Sequence, residues 1–282
     1  MPALTGRKEE NPPTMPFLSV IIPVGKVDDA LRGCLQSLAR QTLPREDFEI
    51  VLVLDGVSLP NEFLPRLDAS PVIRICTIER PSGRSVARNR GLEQARGPIA
   101  VSLDCDMVTC PELLARHFDA HQRGSVACLG VRKFVYPYDG MSPLTEEGFN
   151  SMLSACYARE DYRERFYRAT NYLENAAEPF WAFSTCNCSY PVEIAREVGL
   201  FDEQMRAWGL ADVEFGYRLW RTGDLNFLYL PRAVAIHVEH PRDKAADLRS
   251  REANRAYCVA KHGDLFADRP GRRMPPALKS AR

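Results

Sequence analysis

Two carboxylates one residue apart, Asp104 and Asp106, close an apolar run, PIAVSLDCD, over residues 98–106. At the end of a strand such a pair can be aimed at a single cation. Oxygen ligands suit hard divalent ions such as Mg²⁺ and Mn²⁺, which in turn grip a diphosphate. Asp-x-Asp alone is commonly a solvated loop, so its neighbours have to decide. A second apolar run, FEIVLVLDG, also ends on an acid, at Asp55-Gly56. Between the two lies GRSVARNRGLEQARG (83–97), which carries Arg84, Arg88 and Arg90. Guanidinium groups near a strand rim complement phosphate charge. A basic helix facing water would show the same residues, so only one or two of the three are expected to face a ligand. In the stretch from Ala207 to Glu214, Asp212 stands at the start of a helical pattern. The helix dipole alone favours an acid there, and a carboxylate so placed is also able to take the proton of an attacking hydroxyl. His237 and His240 follow another apolar run. Imidazole binds divalent metals well, but a histidine is more often structural, and position must decide.

The elements that must carry these side chains are readable from periodicity. FLSVIIPV (17–24) is a short run rich in β-branched residues, as in a buried strand. Leu31, Cys34, Leu35 and Leu38 then recur at spacings of three and four, one face of a helix over 28–42 that Asp28 or Asp29 caps. Strands follow at 48–55, 72–78 and 98–106, with a helix at 84–95 and another opened by Pro111. This order predicts an α/β fold with a mostly parallel sheet and helices on both faces. Ligands bind such sheets beyond the strands' carboxyl ends, here the turns after Pro23, Asp55 and Asp104. The second half is less regular. It predicts strands within 125–136, helix across 145–169, a mixed aromatic and small-residue stretch with a strand in it at 179–190, and a helix from Asp212 to Trp220. Strands at NFLYL and AVAIHV and a last helix over 243–262 complete it.

Composition bounds the rest. The 282 residues are 45% hydrophobic and 26% charged, enough for one sizeable core. Lys+Arg and Asp+Glu both number 37, so nothing shows the basic excess of a nucleic-acid binder. The nine cysteines include no Cys-x-x-Cys pair, which points to a reducing compartment rather than a disulfide framework. Cys186 and Cys188 lack a second pair to complete a zinc site. The N-terminal stretch has no apolar signal region, and no run approaches the ~20 apolar residues of a membrane span. A cytoplasmic protein without an integral membrane segment is therefore expected. The expected organisation is a flexible segment at 1–15, a single domain at 16–262 and a basic tail at 263–282. Within the domain, a regular half at 16–124 precedes a less regular half at 125–262.

Taken in order, these stretches resemble glycosyltransferase family 2, with the GT-A fold. The order is VIIP, EIVLVLDG, ARNRG, LDCDMV, Asn187-Cys188-Ser189, VGLFDE (198–203), WGLADVEF (208–215) and a histidine. The resemblance covers about residues 17 to 240 and implies that 16–124 form the nucleotide-sugar-binding half and 125–262 the acceptor-binding half. It implies that Asp55 hydrogen-bonds the nucleotide base, typically uracil, that Asp104 faces ribose or metal, and that Asp106 ligates the metal. Pro23, Arg84, Arg88, Cys105 and Trp208 would complete the nucleotide-sugar site. The block at Trp208 resembles the Trp-Gly-x-Glu-Asp of the chondroitin polymerase and galactosyltransferase type, with Asp212 in the place of the base. His237 fits the His-x-Glu-x-Pro pattern of the first type and is preferred as metal ligand, because it directly follows the strand. His240 fits the His-x-Arg-Asp-Lys pattern of the second and stands as the alternative. Two positions depart from the family: Leu54, where an acid usually precedes Asp55, and Ala211, where a glutamate usually precedes the base.

The implied reaction is an inverting transfer of a hexosyl or N-acetylhexosaminyl group from a nucleotide sugar, most often a UDP-sugar, with Mn²⁺ or Mg²⁺. The acceptor is a saccharide, peptide or small molecule, held by the second half, including 134–183 with Tyr136, Tyr138 and Trp181. Two rivals stand beside it. One is a sugar nucleotidyltransferase, poorly matched by Pro23-Val24-Gly25-Lys26 where a glycine-rich turn is usual. The other is a non-catalytic nucleotide-binding module of the same fold. The resemblance gives no oligomeric state.

Overall fold

The computed structural model describes residues 15–60, 63, 72–135, 146–156, 161, 163–206 and 208–267. Its strands are β1 (Leu18–Val24), β2 (Phe48–Asp55), β3 (Val72–Ile78), β4 (Ile99–Leu103), β5 (Met107–Thr109), β6 (Val126–Val135), β7 (Asn187–Pro191) and β8 (Asn226–Val238). Its helices are α1 (Asp29–Leu38), α2 (Arg84–Gln94), α3 (Leu113–His121), α4 (Glu146–Ala155), α5 (Glu164–Ala169), α6 (Val192–Glu197), α7 (Ala211–Arg221) and α8 (Lys244–His262). The strands form one sheet in the order β3-β2-β1-β4-β7-β6-β8-β5.

Strand alternation builds two apolar layers, one on each face. Leu18, Val20, Ile22 and Val24 of β1 and Ile50, Leu52 and Leu54 of β2 join Leu31, Leu35 and Leu38 of α1 on one side. Ile21, Val51 and Val53 pack on the other side with Leu92 of α2 and Phe215 of α7. Both faces being covered, β1 and β2 read as continuous apolar runs. Asp28, not Asp29, caps α1, accepting from the backbone N–H groups of Ala30 and Leu31. Close approach needs a glycine at one point: a Cβ on Gly91 would lie 2.3 Å from Ile21, so α2 rests directly on β1.

The sheet is more mixed than its first half predicts. β1 pairs in parallel with β2 and β4, as do β2 with β3 and β6 with β8. β7, reached from β6 by way of α4 and α5, runs antiparallel to both β4 and β6. β5 is antiparallel to β8. The two stretches NFLYL and AVAIHV are one strand, β8, with an irregularity: Gly130 pairs Leu230, yet Val131 pairs Val234. Residues 231–233 are thereby extra, a bulge that turns the end of the strand. Asn187 bolts it, its Nδ2 donating to Val131 O at 3.1 Å and Ala233 O at 2.9 Å. Gly130 leaves the room, since a Cβ there would lie 2.3 Å from that Nδ2.

The expected helix over 145–169 is two, α4 and α5, separated by 156–163. The chain also packs past the expected boundary at 262. Phe266 is buried against Trp181 and Tyr217. The rest of the tail, the first 14 residues, and Tyr136 and Tyr138 lie outside the described residues.

Under β7 sits a buried polar chain whose proton positions the geometry fixes. Asn187 Oδ1 accepts from His117 Nε2 at 3.1 Å, because the amide's other end serves two carbonyls. His117 Nδ1 then accepts from Ser189 Oγ at 2.7 Å, and that oxygen accepts from His121 Nε2 at 2.8 Å.

Candidate active site

The rim beyond β1, β2 and β4 is built by loops whose hydrogen bonds are local. Asp55, at the end of β2, accepts from Ser82 N (2.7 Å), Ser82 Oγ (2.8 Å) and Gly83 N (3.0 Å). It thereby sets the turn that starts α2. Helical spacing puts Arg84 and Arg88 on one face and turns Arg90 to the surface, where it pairs with Glu93. Asn89 and Ser85 anchor the other end of the motif. Asn89 exchanges hydrogen bonds with the Phe201 backbone, and Ser85 Oγ donates to Met205 O at 3.0 Å. The ARNRG and VGLFDE stretches are thus two halves of one clamp.

Arg88 is the centre of the site. It is only 3% exposed, and its Nη2 donates to Asp104 Oδ1 at 3.0 Å while Nη1 lies 3.5 Å from Asp212 Oδ1. Burial pushes the Asp104 carboxyl upward, but Arg88 first and Arg84 second outweigh it, so the group is held below its ordinary value. The same two acids keep Arg88 firmly charged against its own burial.

Asp212 stands in the first turn of α7, after Leu210, whose φ of 63° bends the chain into the helix. Thr185, just before β7, grips both its oxygens: Oγ1 donates to Oδ1 at 3.0 Å and the backbone N to Oδ2 at 3.3 Å. The Trp208–Leu210 loop is tied to α8, with Ser250 Oγ donating to Trp208 O at 2.6 Å and Asn254 Nδ2 to Gly209 O at 2.7 Å. Trp208 is exposed, with the Arg242 guanidinium 4.6 Å over its ring.

The β5–β8 ladder pairs Met107 with His237 and so brings Asp106 beside that histidine. Asp106 Oδ2 lies 3.2 Å from His237 Nε2 and 3.6 Å from His240 Nε2. Each of the three residues offers a ligand atom within 4.8 Å of the others. Both histidines therefore belong to the cluster, where the sequence offers them as alternatives. The other Asp106 oxygen, Oδ1, is buried without a hydrogen-bond partner, which suits a cation.

One cleft of about 920 Å³ gathers Arg84, Arg88, Asp104, Trp208, Asp212, His237 and His240. Pro23, Asp55, Cys105 and Asp106 do not line it. Pro23 lies within β1, beyond the end of the β4 pairing. Cys105 packs against the core, and burial, then Asp106 and Asp104, push its thiol well up, leaving it neutral.

The sequence model for "Glycosyl transferase family 2" matches residues 19–189, more than half of the chain. The chain belongs to that family. It is 29% identical over 274 residues to validoxylamine A glucosyltransferase of Streptomyces hygroscopicus subsp. limoneus, across 90% of this chain and 58% of that protein. Chondroitin synthase of Pasteurella multocida is 27% identical over 252 residues, across 79% of this chain and 25% of that one. This chain therefore spans less than two thirds of either relative's length. In fold it is similar to S. aureus TarS 1-349 in complex with UDP-GlcNAc (TM-score 0.60, 16% identity, 88% of this chain and 70% of that). The mannosyltransferase PcManGT of Pyrobaculum calidifontis, in complex with GDP-Man and Mn²⁺, gives a TM-score of 0.58 at 16% identity, across 91% and 66%. The family is one of sugar-transferring enzymes with the GT-A fold expected from the sequence. No helix among the described residues is long and apolar enough to cross a membrane.

Thr185 is the neighbour of Asp212 that the sequence did not offer. A lone threonine before a strand carries no chemical signature, and only its contact with Asp212 reveals it.

Proposed function

We propose that this chain transfers a sugar from a nucleotide sugar, a UDP-sugar by preference, to an acceptor hydroxyl with inversion at the anomeric carbon. The observation that carries the reading is the bridge through Arg88, which holds the base Asp212 and the donor-side Asp104 on one cleft wall. Asp106, His237 and His240 would hold a divalent cation, and two imidazoles beside one carboxylate favour Mn²⁺ over Mg²⁺. That ion would supply Lewis-acid neutralisation of the departing diphosphate. Arg84 adds a fixed positive charge on the same wall. Asp55 and Pro23, which do not line this cleft, would border the nucleotide's base by the family resemblance, and Trp208 offers a ring face to a sugar. Asp212 takes the acceptor's proton. With both oxygens oriented by Thr185, its free lone pairs face the cleft without a reorganisation cost.

The experiment is a thermal-shift series with UDP, UDP-sugars and GDP-mannose, with and without Mn²⁺. Ligand binding to the folded state raises the melting temperature. A metal-dependent rise with one nucleotide is expected, absent in Asp106→Ala and kept in Asp212→Asn. Transfer in Asp212→Asn should fall by roughly 10²–10⁴-fold, the usual contribution of a general base. No rise with any nucleotide in folded protein would favour a non-catalytic module, and nucleotide-sugar synthesis from a sugar phosphate would favour a nucleotidyltransferase.

A further inference from the structure

A second cleft, of about 910 Å³, opens between the β6–β8 bulge and the turn after α5. Its wall holds a column of three tyrosines. Tyr167 lies 4.5 Å from Tyr229, and Tyr172 stacks on Tyr229 at 5.2 Å with 29° between the planes. The column runs from core to solvent: Tyr167 is 3% exposed and Tyr172 is 44% exposed. Lys133, Glu164 and Glu174 stand around it. Burial, then Glu164, push the Tyr229 hydroxyl up to about 12, so it stays a neutral hydrogen-bonding group.

The turn that presents Tyr172 is strained. Asn171, Tyr172 and Leu173 have φ of 48°, 53° and 78°, three consecutive left-handed residues without a glycine. Each costs about 1–2 kcal/mol in an L-residue. Hydrogen bonds over-determine the turn, from Tyr172 N to Tyr167 O (2.6 Å), Asn175 N to Thr170 O (3.0 Å) and Leu173 N to Thr170 Oγ1 (3.3 Å). Strain held in place around an exposed aromatic points to function rather than packing.

We propose that this cleft binds a saccharide ring of an extended acceptor, with Tyr172 as its platform. An open aromatic face takes the C–H face of a pyranose, and the charged side chains around it take the hydroxyls. Arg132 lines both clefts, so an acceptor whose terminal hydroxyl meets Asp212 leads past Arg132 to Tyr172. The word acceptor rests on the transfer reading above, but binding of a ring at Tyr172 does not.

The test is saturation-transfer-difference NMR on the full chain with UDP and Mn²⁺ present. The probes are glucose, N-acetylglucosamine, galactose and glucuronic acid and their β-linked tetrasaccharides. At least one probe should bind through its ring protons, with at least tenfold weaker affinity in Tyr172→Ala and near-unchanged affinity in Tyr172→Phe. Tyr172→Gly should melt no lower than the parent, because glycine relieves the positive φ, yet lose the binding. Absence of binding by every probe, or equal binding in Tyr172→Ala, overturns the proposal. The UDP-dependent melting shift is read separately. If it is absent while saccharide binding depends on Tyr172, the transfer reading falls and the ring site stands. If it is present without Tyr172-dependent binding, the ring site falls.

Discussion

Arg88 cannot be replaced by another cation without loss, because it addresses two carboxylates from one planar group. A lysine is a compact charge on a flexible stem and lacks the rigid planar fork that holds two carboxylates in fixed alignment. Arg88→Lys should therefore fold but lose the alignment between Asp104 and Asp212, with both donor affinity and turnover reduced at least tenfold. Calorimetry and initial rates would show it, and a variant unchanged in both would refute the bridge. Thr185 makes a narrower prediction. Thr185→Val removes one hydrogen bond to a charged group, about 1.5–3 kcal/mol, or roughly 10- to 100-fold in rate if the bond serves only Asp212. The loss should fall on kcat with donor KM kept, whereas a rise in KM alone would place Thr185 in donor binding instead. Asp104, Asp106, Asp212 and both histidines were readable in the sequence because each is a strong chemical type at an element's end. Thr185 was not, and the preference for His237 over His240 rested on one of two overlapping patterns; the structure places His237 inside β8 and His240 just beyond it, both beside Asp106.

Between elements, one buried acid does the joining. Glu214 of α7 accepts from Arg218 at 2.8 and 2.9 Å, and from Lys261 and His262 of α8 at 2.9 Å each. Burial raises its carboxyl and Arg218, Lys261 and His262 more than reverse this. Glu214→Gln leaves the Arg218 and Lys261 cations facing a neutral amide. It should destabilise by roughly 3 kcal/mol, the low end for breaking a buried ion pair, because Lys261 remains a third exposed. Urea unfolding measures it, and a loss under about 0.5 kcal/mol, the size of an ordinary surface change, would contradict the role. Since α8 also anchors the Trp208 loop, the same variant should weaken donor binding. Gly130→Ala carries a separate cost of about 1–3 kcal/mol, the overpacking of Asn187. β1, β2 and β4 were readable because they are apolar and covered on both faces, and β3 from its β-branched residues although it lies largely exposed, whereas β5 was not foreseen. β7 was offered only loosely, as a strand within 179–190, because Asn187, Cys188 and Ser189 lack the apolar pattern of a central strand. Its polar side chains are satisfied by α3 and by the bulge, which no local pattern encodes.

Those polar contacts give the whole molecule an acid-sensitive middle. Burial pushes His117 down to about 4, and burial with His117 nearby pushes His121 down to about 3. In the unfolded chain both titrate near ~6.5. Their folded values are depressed, so the unfolded state binds more protons below ~6.5. Stability is then complete above that pH and falls as pH drops, by up to roughly 1.4 kcal/mol per unit for each histidine until the folded values are reached. The paired carboxylates add their own losses only below about pH 4.5. The urea midpoint should thus decline between pH 7.5 and 5, and a flat midpoint across that range would exclude the neutral pair.

The pairing of β5 with β8 also sets an order in time. Asp106 and His237 are 131 residues apart (237 minus 106) and meet only through that ladder. At the ~5–20 residues per second of synthesis, roughly 7–26 seconds separate the emergence of the two. The nucleotide-side strands β1 to β4 are complete long before, so a nascent chain could fold their parallel core early. It would have no cation cluster and no Asp212 until nearly everything else had emerged. Under the transfer reading proposed above, unfinished chains would lack the groups that cleave a donor, and metal binding would report that β8 has docked.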